Sequence, residues 1–445
     1  MSKSSDLLKR DKAAVAAATK VRYNPMVIER GEGNRLIDVD GRSYLDFAAS
    51  WALTHLGYDN PAVIEAVTKQ LEKTTFAGIV STVSGPPVEL AERLIGLMDG
   101  DFEKRAWFGL SGSDAAEAAQ RMVLASTGKR RIVSFIGGMH GTNDSGIGLS
   151  GLPGGSGFAF GPHVLKAPFP DPFRPPFPDA GDRLTDTCLD YLENYLFKTV
   201  CPPEDTAAVF VETVQSDSGD VVPPPDFLPK LRALCDRNGL LLVVDDIKVG
   251  LGRTGKMFSN ENFGVEADLL LLGKSMGGGL PLSAIVGRAE ILDTGFAGFT
   301  TSGNAACCAA GLATVDEVIR LGLAERSAEN GAYLQAKLKA ALSGYDVVGD
   351  VRGMGMIQGV DFVTEKGSKT PNRDAAAKIV YRAWELGLVL YYAGSFGNVI
   401  EITPPLTLTK AEIDEGVAIF DQAVRDYLEG AIPDEAIADY AGWFA

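Results

Sequence analysis

The spacing of apolar and polar positions divides the chain into strand-like and helix-like segments. Apolar and polar residues alternate in "NRLIDVDGRSYLDF", on either side of Asp40-Gly41, and this predicts a β-hairpin near the N-terminus. In several later segments apolar residues recur every three or four positions, which predicts amphipathic helices. These segments are "PAVIEAVTKQLEK", "PPVELAERLIGLM", "SDAAEAAQRMVLAS" and "FLPKLRALCDRNG".

Strand-like runs stand between these helices. They read "KRAWFGL", "RRIVSFIGG", "TAAVFVET", "LLLVVDD" and "ADLLLLGK". The last three are almost entirely apolar, which is typical of strands in a parallel sheet that helices cover on both faces. The pattern therefore predicts an α/β fold with a mainly parallel sheet.

Two regions depart from this pattern. Residues Gly151 to Asp182 are rich in Gly, Pro and Phe, and they predict a long irregular loop. After about Ala309, long helical segments alternate with short strands. We expect a second α+β domain there, to which the N-terminal hairpin also belongs. Its segments are "AERSAENGAYLQAKLKAALSG", "RDAAAKIVYRAWELG", "VGDVRGMGMIQGVDF" and "NVIEITPPL".

Composition and charge exclude several classes of protein. The 445 residues are 46% hydrophobic and 22% charged, as expected for a globular protein with more than one domain. The formal net charge of −16 argues against nucleic acids and anionic membranes as partners. Five scattered cysteines and three histidines argue against a disulfide framework and a zinc site, so no metal is expected. Without a signal-peptide pattern or a membrane-spanning run, a reducing cytoplasmic location is expected.

The stretch "VDDIKVGLGRTG" contains G-x-G-x-x-G after an apolar strand, as dinucleotide-binding loops do. In such a loop the third glycine opens a helix whose N-terminus faces the pyrophosphate. Here Gly255 is followed by "KMFSNENFG", which lacks helical periodicity. The helix that a dinucleotide-binding loop requires after its third glycine is therefore not predicted here, which argues against that interpretation.

Asp245 and Lys274 fit another cofactor. Asp245 ends one apolar strand and Lys274 follows another, so both are expected at the carboxyl edge of the sheet. A lysine that forms an imine and an aspartate that keeps a pyridine nitrogen protonated are the two fixed points of a pyridoxal 5′-phosphate (PLP) site. Taken alone, Lys274 is better explained as a solvated loop lysine.

A phosphate also needs backbone donors. Ser111-Gly112-Ser113 stands between a strand and a helix, where free amide groups and two hydroxyls suit a phosphate dianion. The same residues, with Asp114, also match an ordinary capping box. The sequence leaves both interpretations open.

Six ordered blocks together resemble the class III aminotransferase family of fold-type-I PLP enzymes, over nearly the whole chain. The blocks are "WFGLSGSDAAEAA", "GGMHGT", "VETVQSDSGD", "VVDDIKVGLGRTGK", "LLLLGKSMGGGLPLSA" and "FTTSGNAACCAA". The resemblance implies a large PLP-binding domain over residues 60–310. It also implies a smaller α+β domain made of residues 1–59 and 311–445.

The resemblance also implies roles for individual residues. Lys274 forms the imine with PLP, and Asp245 pairs with the pyridine nitrogen. Gly112 and Ser113 bind the phosphate within one subunit, together with Ser111. Thr300 binds it from the neighbouring subunit, which implies a homodimer with shared active sites.

Three positions depart from the aminotransferase pattern. Many members read "NVIR" where this chain reads "NVIE", and the family's arginine grips a substrate carboxylate. Glu401 would repel that carboxylate by several kcal/mol at a contact distance of about 4 Å. The family's arrangement sets Asp217 opposite Glu401, so one of the two carboxyls is expected to hold a proton near neutral pH. Lys248 replaces a common glutamine near the cofactor's phenolic oxygen and can neutralise part of this acidic pair.

These three residues and Trp51 are similar to one branch of the family. It comprises the α-amino-ε-caprolactam racemases, the amino-acid amide racemases and the 2-epimerases. In that branch the Cα proton leaves on one face and returns on the other, which implies Lys274 and Asp217 as the two bases. Trp51, Asp217 and Glu401 would contact the substrate.

Two further residues are expected beside the cofactor, Met139 and His140. The family has an aromatic residue before the histidine, where it covers the PLP ring. Met139 can cover a ring face but stacks differently, and neutral drift and altered specificity both explain it. For His140 a packing and hydrogen-bonding role is expected.

The expected activity is racemisation or epimerisation of an amino acid, amino amide or lactam, a small-molecule substrate. The first alternative is an aminotransferase of amines or ω-amino acids. The second is a β-eliminating lyase, such as a phospholyase acting on a phosphorylated amino alcohol. From other classes, an NAD-binding oxidoreductase and a non-catalytic relative also remain open.

Overall fold

A computed structural model describes residues 2–153, 163–440 and 442. Its internal contacts divide the chain into two compact units. The large unit is Pro61–Ser327, and the small unit combines Met1–Asn60 with Ala328–Ala445. The small unit is thus built from both ends of the chain. The domain bounds inferred from the sequence, 1–59, 60–310 and 311–445, stay a prediction.

Strands of both units are numbered along the chain. They are β1 Ile28–Glu32, β2 Arg35–Asp38, β3 Ser43–Asp46, β4 Lys104–Gly109, β5 Arg131–Phe135, β6 Val164–Ala167, β7 Thr206–Val211, β8 Leu241–Asp245, β9 Leu269–Leu272, β10 Ser283–Arg288, β11 Val348–Met354, β12 Ile357–Phe362, β13 Leu388–Val389, β14 Tyr391–Ala393 and β15 Val399–Ile402.

A seven-stranded sheet forms the centre of the large unit, in the order β4-β10-β9-β8-β7-β5-β6. Strands β5 to β9 pair in parallel, and β10 is antiparallel to both of its neighbours, β4 and β9. Strand β4 therefore runs in the same direction as β9. The carboxyl ends of β4, β5, β7, β8 and β9 consequently meet at one edge, where α/β folds bind their ligands.

Apolar side chains cover this sheet on both faces. In β9, Leu270 and Leu272 belong to one buried apolar cluster, while Leu269 and Leu271 belong to another. Because successive side chains of a strand point to opposite faces, the two clusters lie on opposite sides of the sheet. The predicted α/β fold with a mainly parallel, helix-covered sheet is confirmed.

Two four-stranded sheets build the small unit. The first has the order β1-β2-β3-β13, and the predicted N-terminal hairpin is its antiparallel pair β2–β3. The second has the order β11-β12-β15-β14 and is antiparallel throughout.

Helices flank the strands in both units, and each helix predicted from the apolar spacing is present. The helices are Lys3–Ala14, Pro61–Lys73, Gly85–Leu97, Gly112–Thr127, Asp144–Leu149, Leu184–Asp190, Phe197–Thr199, Phe227–Asn238, Ala289–Leu292, Ala305–Arg320, Leu323–Leu342, Arg373–Leu386, Lys410–Leu428 and Asp434–Ile437. Within residues 2–153, 163–440 and 442, no helix has both the length and the apolar character needed to cross a bilayer.

The long loop predicted for residues 151–182 is wrong in part. Residues 164–167 form the edge strand β6, which pairs in parallel with β5, and Pro178–Arg183 forms a 3₁₀ turn. The short sequence "VLKA" carries little strand signal of its own, so its pairing with β5 decides its conformation. Residues 154–162 of the predicted loop lie outside the described residues.

A left-handed turn follows β3 in the small unit. Ala49, Ser50, Trp51 and Ala52 all have positive φ angles, between 43° and 66°. This conformation costs an ordinary residue about 1–2 kcal/mol. The Asp46 carboxylate accepts hydrogen bonds from the amides of Ala48 and Ala49, at 2.8 and 3.0 Å, and these bonds hold the start of the turn.

Candidate active site

The carboxyl edge of the large sheet collects polar residues from five strands. Each lies at the end of its strand or in the loop that follows. They are Ser111, Gly112 and Ser113 after β4, Met139 and His140 after β5, Glu212 and Asp217 after β7, Asp245 and Lys248 at and after β8, and Lys274 after β9.

A buried carboxylate–imidazole pair lies at the centre of this edge. The Asp245 Oδ2 atom is 2.7 Å from His140 Nδ1, and the two side chains are 3% and 1% exposed. The other oxygen of Asp245 accepts a hydrogen bond from the Ile247 amide at 3.1 Å. These contacts fix the direction of the carboxylate at the strand end. His140 has the packing and hydrogen-bonding contacts that the sequence led us to expect.

The segment before helix Gly112–Thr127 contains the predicted phosphate loop. Ser111 is the N-cap, and it forms a capping box with Asp114. The capping interpretation is therefore confirmed for Ser111. The amides of Gly112 and Ser113 belong to the first helical turn, whose N–H groups have no partner within a helix. These amides are natural donors to an anion, and the Ser111 hydroxyl, which accepts from the Asp114 amide, keeps its own O–H group for donation.

Close backbone packing joins these strand ends. A Cβ atom on Gly112 would lie 2.8 Å from Ile247 Cδ1, and one on Gly273 would lie 3.3 Å from Ile247 Cγ2. A Cβ on Gly141 would lie 2.8 Å from Ser113 Cα. The glycines therefore allow the helix start, the Asp245 strand and the Lys274 loop to approach one another.

Lys274 begins a short 3₁₀ turn, Lys274–Gly277, directly after Gly273. Its φ angle is +44°, in the left-handed region that favours glycine. Such strain in a non-glycine residue is often found at functional sites, because it holds a side chain in a defined direction. The charge of Lys274 acts on both Asp217 and Glu212.

Asp217 and Lys248 form a buried ion pair. The Lys248 Nζ atom donates to Asp217 Oδ1 at 3.0 Å, and the residues are 4% and 6% exposed. Burial alone would raise the pKa of Asp217, but the Lys248 and Lys274 ammonium groups outweigh it and hold that pKa below its usual value. Asp217 is therefore ionised at neutral pH. The expected acidic pair of Asp217 with Glu401 stays a prediction.

Glu212 also lies at this edge, and no role for it was predicted from the sequence. It follows β7 directly and is 5% exposed. Burial, together with the charges of Asp245 and Asp217, raises its pKa well above the usual value. The sequence did contain a signal for Glu212, since it directly follows a strand that is buried along its whole length. A carboxyl group at that position lies at the same sheet edge as Asp245.

Two predicted substrate residues belong to the small unit. The Trp51 ring lies 5.1 Å from the Tyr391 ring and 5.9 Å from the Tyr23 ring, measured between centroids. Glu401 lies in β15 and is 1% exposed, with its Oε1 atom 3.5 Å from Thr403 Oγ1. Their roles at the site stay a prediction.

Thr300 lies elsewhere in the large unit. It is exposed, it precedes helix Ala305–Arg320, and its carbonyl oxygen lies close to Gly78. Its predicted role, binding phosphate in a partner subunit, concerns a second chain and stays a prediction.

Comparison with known proteins identifies the family. The sequence model described as aminotransferase class-III matches residues 16–424. The chain belongs to the class III aminotransferase family.

Its relatives in this family differ in reaction. The chain is 37% identical to an alanine/serine racemase of Pyrococcus horikoshii over 446 residues, which cover 98% of this chain and 93% of the relative. It is 35% identical to the 5-aminovalerate aminotransferase DavT of Pseudomonas putida, covering 96% and 100%. An amine transaminase from an uncultivated Pseudomonas species, solved in its PLP-bound form, matches with a TM-score of 0.84 at 30% identity, covering 93% and 97%.

The enzymes of this family use PLP, and the residues of the large unit fit that cofactor. Gly112 presents a first-turn amide at the helix start, and without a side chain it lets Ile247, just after the Asp245 strand, pack against it. Asp245 presents a buried, oriented carboxylate, and Lys274 presents a primary amine at the neighbouring strand end. A phosphate, a pyridinium nitrogen and an aldehyde require these three kinds of partner.

Proposed function

We propose that this enzyme racemises or epimerises an amino acid, amino amide or lactam at Cα. One observation carries the proposal: the ionised carboxylate of Asp217 lies at the same sheet edge as Lys274 and is paired with Lys248. Inversion at Cα requires one group on each face of the carbon, and Lys274 and Asp217 provide an amine and a carboxylate.

The catalytic roles follow from these two groups. PLP, when bound, supplies an electron sink that makes the Cα proton acidic. One of the two residues takes that proton from one face, and the other returns a proton to the opposite face. Lys248 keeps a positive charge beside Asp217 throughout, so the carboxylate remains available as a base at neutral pH.

The cofactor contacts complete the proposal. Asp245, oriented by His140, would face the pyridine nitrogen. The first-turn amides of Gly112 and Ser113 would bind the phosphate, and Ser111, which caps the helix, would donate its hydroxyl hydrogen to it. Met139 would cover a face of the ring beside His140.

The substrate class follows from the charges. Glu401 in place of the family's arginine disfavours substrates that need a paired carboxylate, and it suits amide or lactam groups. Trp51, which lies against Tyr23 and Tyr391, would offer an apolar wall to the substrate's side chain.

Incubation of the PLP-loaded enzyme with single enantiomers in D₂O tests the proposal. We expect deuterium at Cα together with loss of optical activity. Asp217→Asn should slow the exchange for one enantiomer more than for the other, because only one face loses its base. Lys274→Ala is the control: it should abolish both the exchange and the covalent attachment of PLP.

Two results would contradict this proposal. Equal slowing of both enantiomers by Asp217→Asn would remove Asp217 as the second base. Stoichiometric conversion of the cofactor to pyridoxamine phosphate, with the substrate's configuration retained, would replace racemisation by transamination. The second candidate function, an aminotransferase, is favoured by the likeness to the 5-aminovalerate aminotransferase.

We also propose a homodimer with shared active sites, working in the cytoplasm. The support is a set of exposed apolar side chains, Phe76, Val80, Val83 and Phe296, which we call the apolar patch. The Phe296 ring and a Val80 methyl group both lie beside Gly298, and the Phe76 ring lies beside Gly78. Val83 and Phe296 are 88% and 81% exposed, which is unusual for large apolar side chains. The Thr300 carbonyl oxygen also lies beside Gly78. A second copy that covers the apolar patch would therefore bring Thr300 to the dimer interface, as its proposed role in the partner's phosphate site requires.

A further inference from the structure

The Glu212 carboxyl group has neutral hydrogen-bond partners. Its Oε2 atom accepts a hydrogen bond from the Met139 amide at 2.9 Å, and Ser216 Oγ donates to its Oε1 atom at 3.4 Å. Asp217, after the same strand, instead accepts from the Lys248 ammonium group at 3.0 Å. The two carboxyls thus share a strand end but differ in what balances their charge.

Through Met139, Glu212 holds the segment that carries His140. The His140 amide donates to Ser150 Oγ at 2.8 Å, and that hydroxyl also lies 3.7 Å from Met139 Sδ. Glu212 therefore fixes this segment on one side and Ser150 on the other. The next link is the 2.7 Å contact of His140 with Asp245, the carboxylate expected to face the cofactor's ring.

The charges around Glu212 oppose its ionisation. Burial raises the pKa of Glu212 most, and the electrostatic effects of Asp245 at the end of β8 and of Asp217 in the loop after β7 raise it further. The Met139 hydrogen bond and Lys274, after β9, act in the opposite direction and are smaller contributions. A negative charge on Glu212 would therefore be poorly compensated at this edge.

We propose that Glu212 is a positioning residue that works as a neutral carboxylic acid, orienting the Met139–His140 segment and, through it, Asp245. Its carbonyl oxygen suffices to accept the Met139 hydrogen bond. A glutamine, which offers the same oxygen without the charge, should therefore replace it. This inference holds whichever reaction the enzyme catalyses.

The first test compares thermal unfolding of the cofactor-free wild-type protein and Glu212→Gln between about pH 5 and about pH 8. A carboxyl whose pKa is raised in the folded state stabilises the protein below the ordinary pKa of glutamate and loses that contribution as the pH rises. The wild type should therefore lose stability relative to the variant. The difference in unfolding temperature, variant minus wild type, should grow steadily with pH.

Glu193→Gln is the matched control. Hydrogen bonding to Arg237 lowers the pKa of Glu193, so its contribution is already complete over this pH range and is lost only in acid. Its difference in unfolding temperature should stay constant and slightly negative. If Glu212→Gln behaved in the same way, Glu212 would be ionised and the proposal would be overturned.

The second test measures the dissociation constant of PLP for Glu212→Gln and Glu212→Ala. We expect the glutamine variant to stay within about threefold of the wild type, and the alanine variant to weaken binding about tenfold or more, since about 1.4 kcal/mol corresponds to tenfold. Equal weakening in both variants would show that the charge is needed. Unchanged binding in both would show that Glu212 positions nothing. If the alanine variant does not fold, the pH test on Glu212→Gln still decides.

Discussion

Asp217 and Glu212 show how strongly the surroundings of a single residue decide its chemistry. Both carboxyls are buried after β7, yet the pKa of Asp217 is lowered and that of Glu212 is raised. The difference comes from Lys248, which lies 3.0 Å from Asp217. Burial penalises both charges, and only the nearby cation reverses the outcome.

Lys248→Met should therefore change both stability and activity. Removing one member of a buried ion pair leaves the other uncompensated, which costs about 3–5 kcal/mol of unfolding free energy. The pKa of Asp217 should rise, and since its charged form is lost as the pH falls, the acid limb of the Cα-exchange profile should move to higher pH. Urea unfolding and exchange rates across pH measure both effects.

Lys248→Arg is the matched control, because it keeps the positive charge beside Asp217. It should leave the acid limb close to that of the wild type. An acid limb that Lys248→Met does not move would mean that Asp217 is not the titrating base.

At the scale of elements, small residues let strand ends and a helix start approach each other. Gly112→Ala should weaken PLP binding about tenfold, because the new methyl group would lie 2.8 Å from Ile247 Cδ1 and push the helix start away from the Asp245 strand. Adding Ile247→Ala should restore part of the affinity by making room. Absorbance titration with PLP measures both variants.

Gly96→Ala controls for the substitution itself. Gly96 lies in helix Gly85–Leu97, and a Cβ there would meet no neighbour within 4 Å. This variant should gain about 1 kcal/mol of stability from better helix propensity and bind PLP as the wild type does. If Gly112→Ala also bound PLP normally, the close packing would have no bearing on the cofactor.

The left-handed turn Ala49–Ala52 gives a second prediction at this scale. Ser50 has a φ angle of +50°, so Ser50→Gly should raise the free energy of unfolding by about 1 kcal/mol. Ala48→Gly changes the residue just before the turn, which has an ordinary φ of −109°, and should lower the free energy of unfolding by about 0.5–1 kcal/mol. Thermal or urea unfolding shows whether each variant gains or loses stability. A loss of stability in Ser50→Gly would show that the turn is not strained.

At the scale of the whole molecule, the exposed apolar patch predicts self-association. Replacing Val83 and Phe296 together by lysine should convert a dimer to monomers, because buried like charges oppose the contact. Val200→Lys, at an exposed apolar position on another element, should leave the dimer intact. Sedimentation velocity measures the three proteins, and a dimer that survives the double substitution would place the interface elsewhere.

Much of the large unit could be predicted from the apolar pattern. Strands such as "LLLVVDD" and "ADLLLLGK" are buried along their length, so their residue types alone identify them. Edge strand β6 and the left-handed turn at Trp51 could not be predicted, since both depend on contacts with distant segments. For β6 the pairing with β5 supplies the hydrogen bonds, and for the turn the Asp46 carboxylate does.

The candidate site divides in the same way. Asp245 and Lys274 could be predicted as site residues because each stands at the end of an apolar run. Their two strands run in the same direction, so both strand ends lie at one edge of the sheet. The sequence left open whether Ser111 caps the helix or binds phosphate, and it indicated only that Lys248 can neutralise part of an acidic pair. The three-dimensional structure shows that Ser111 is the cap and that Lys248 contacts Asp217 directly.

The sequence by itself determined the fold class, the family and most of the residues at the sheet edge, though not Glu212, because periodicity and ordered motifs are local properties of a chain. The tertiary structure alone decided which carboxyl carries a charge. That outcome depends on burial and on cations from other strands, as the contrast between Asp217 and Glu212 shows.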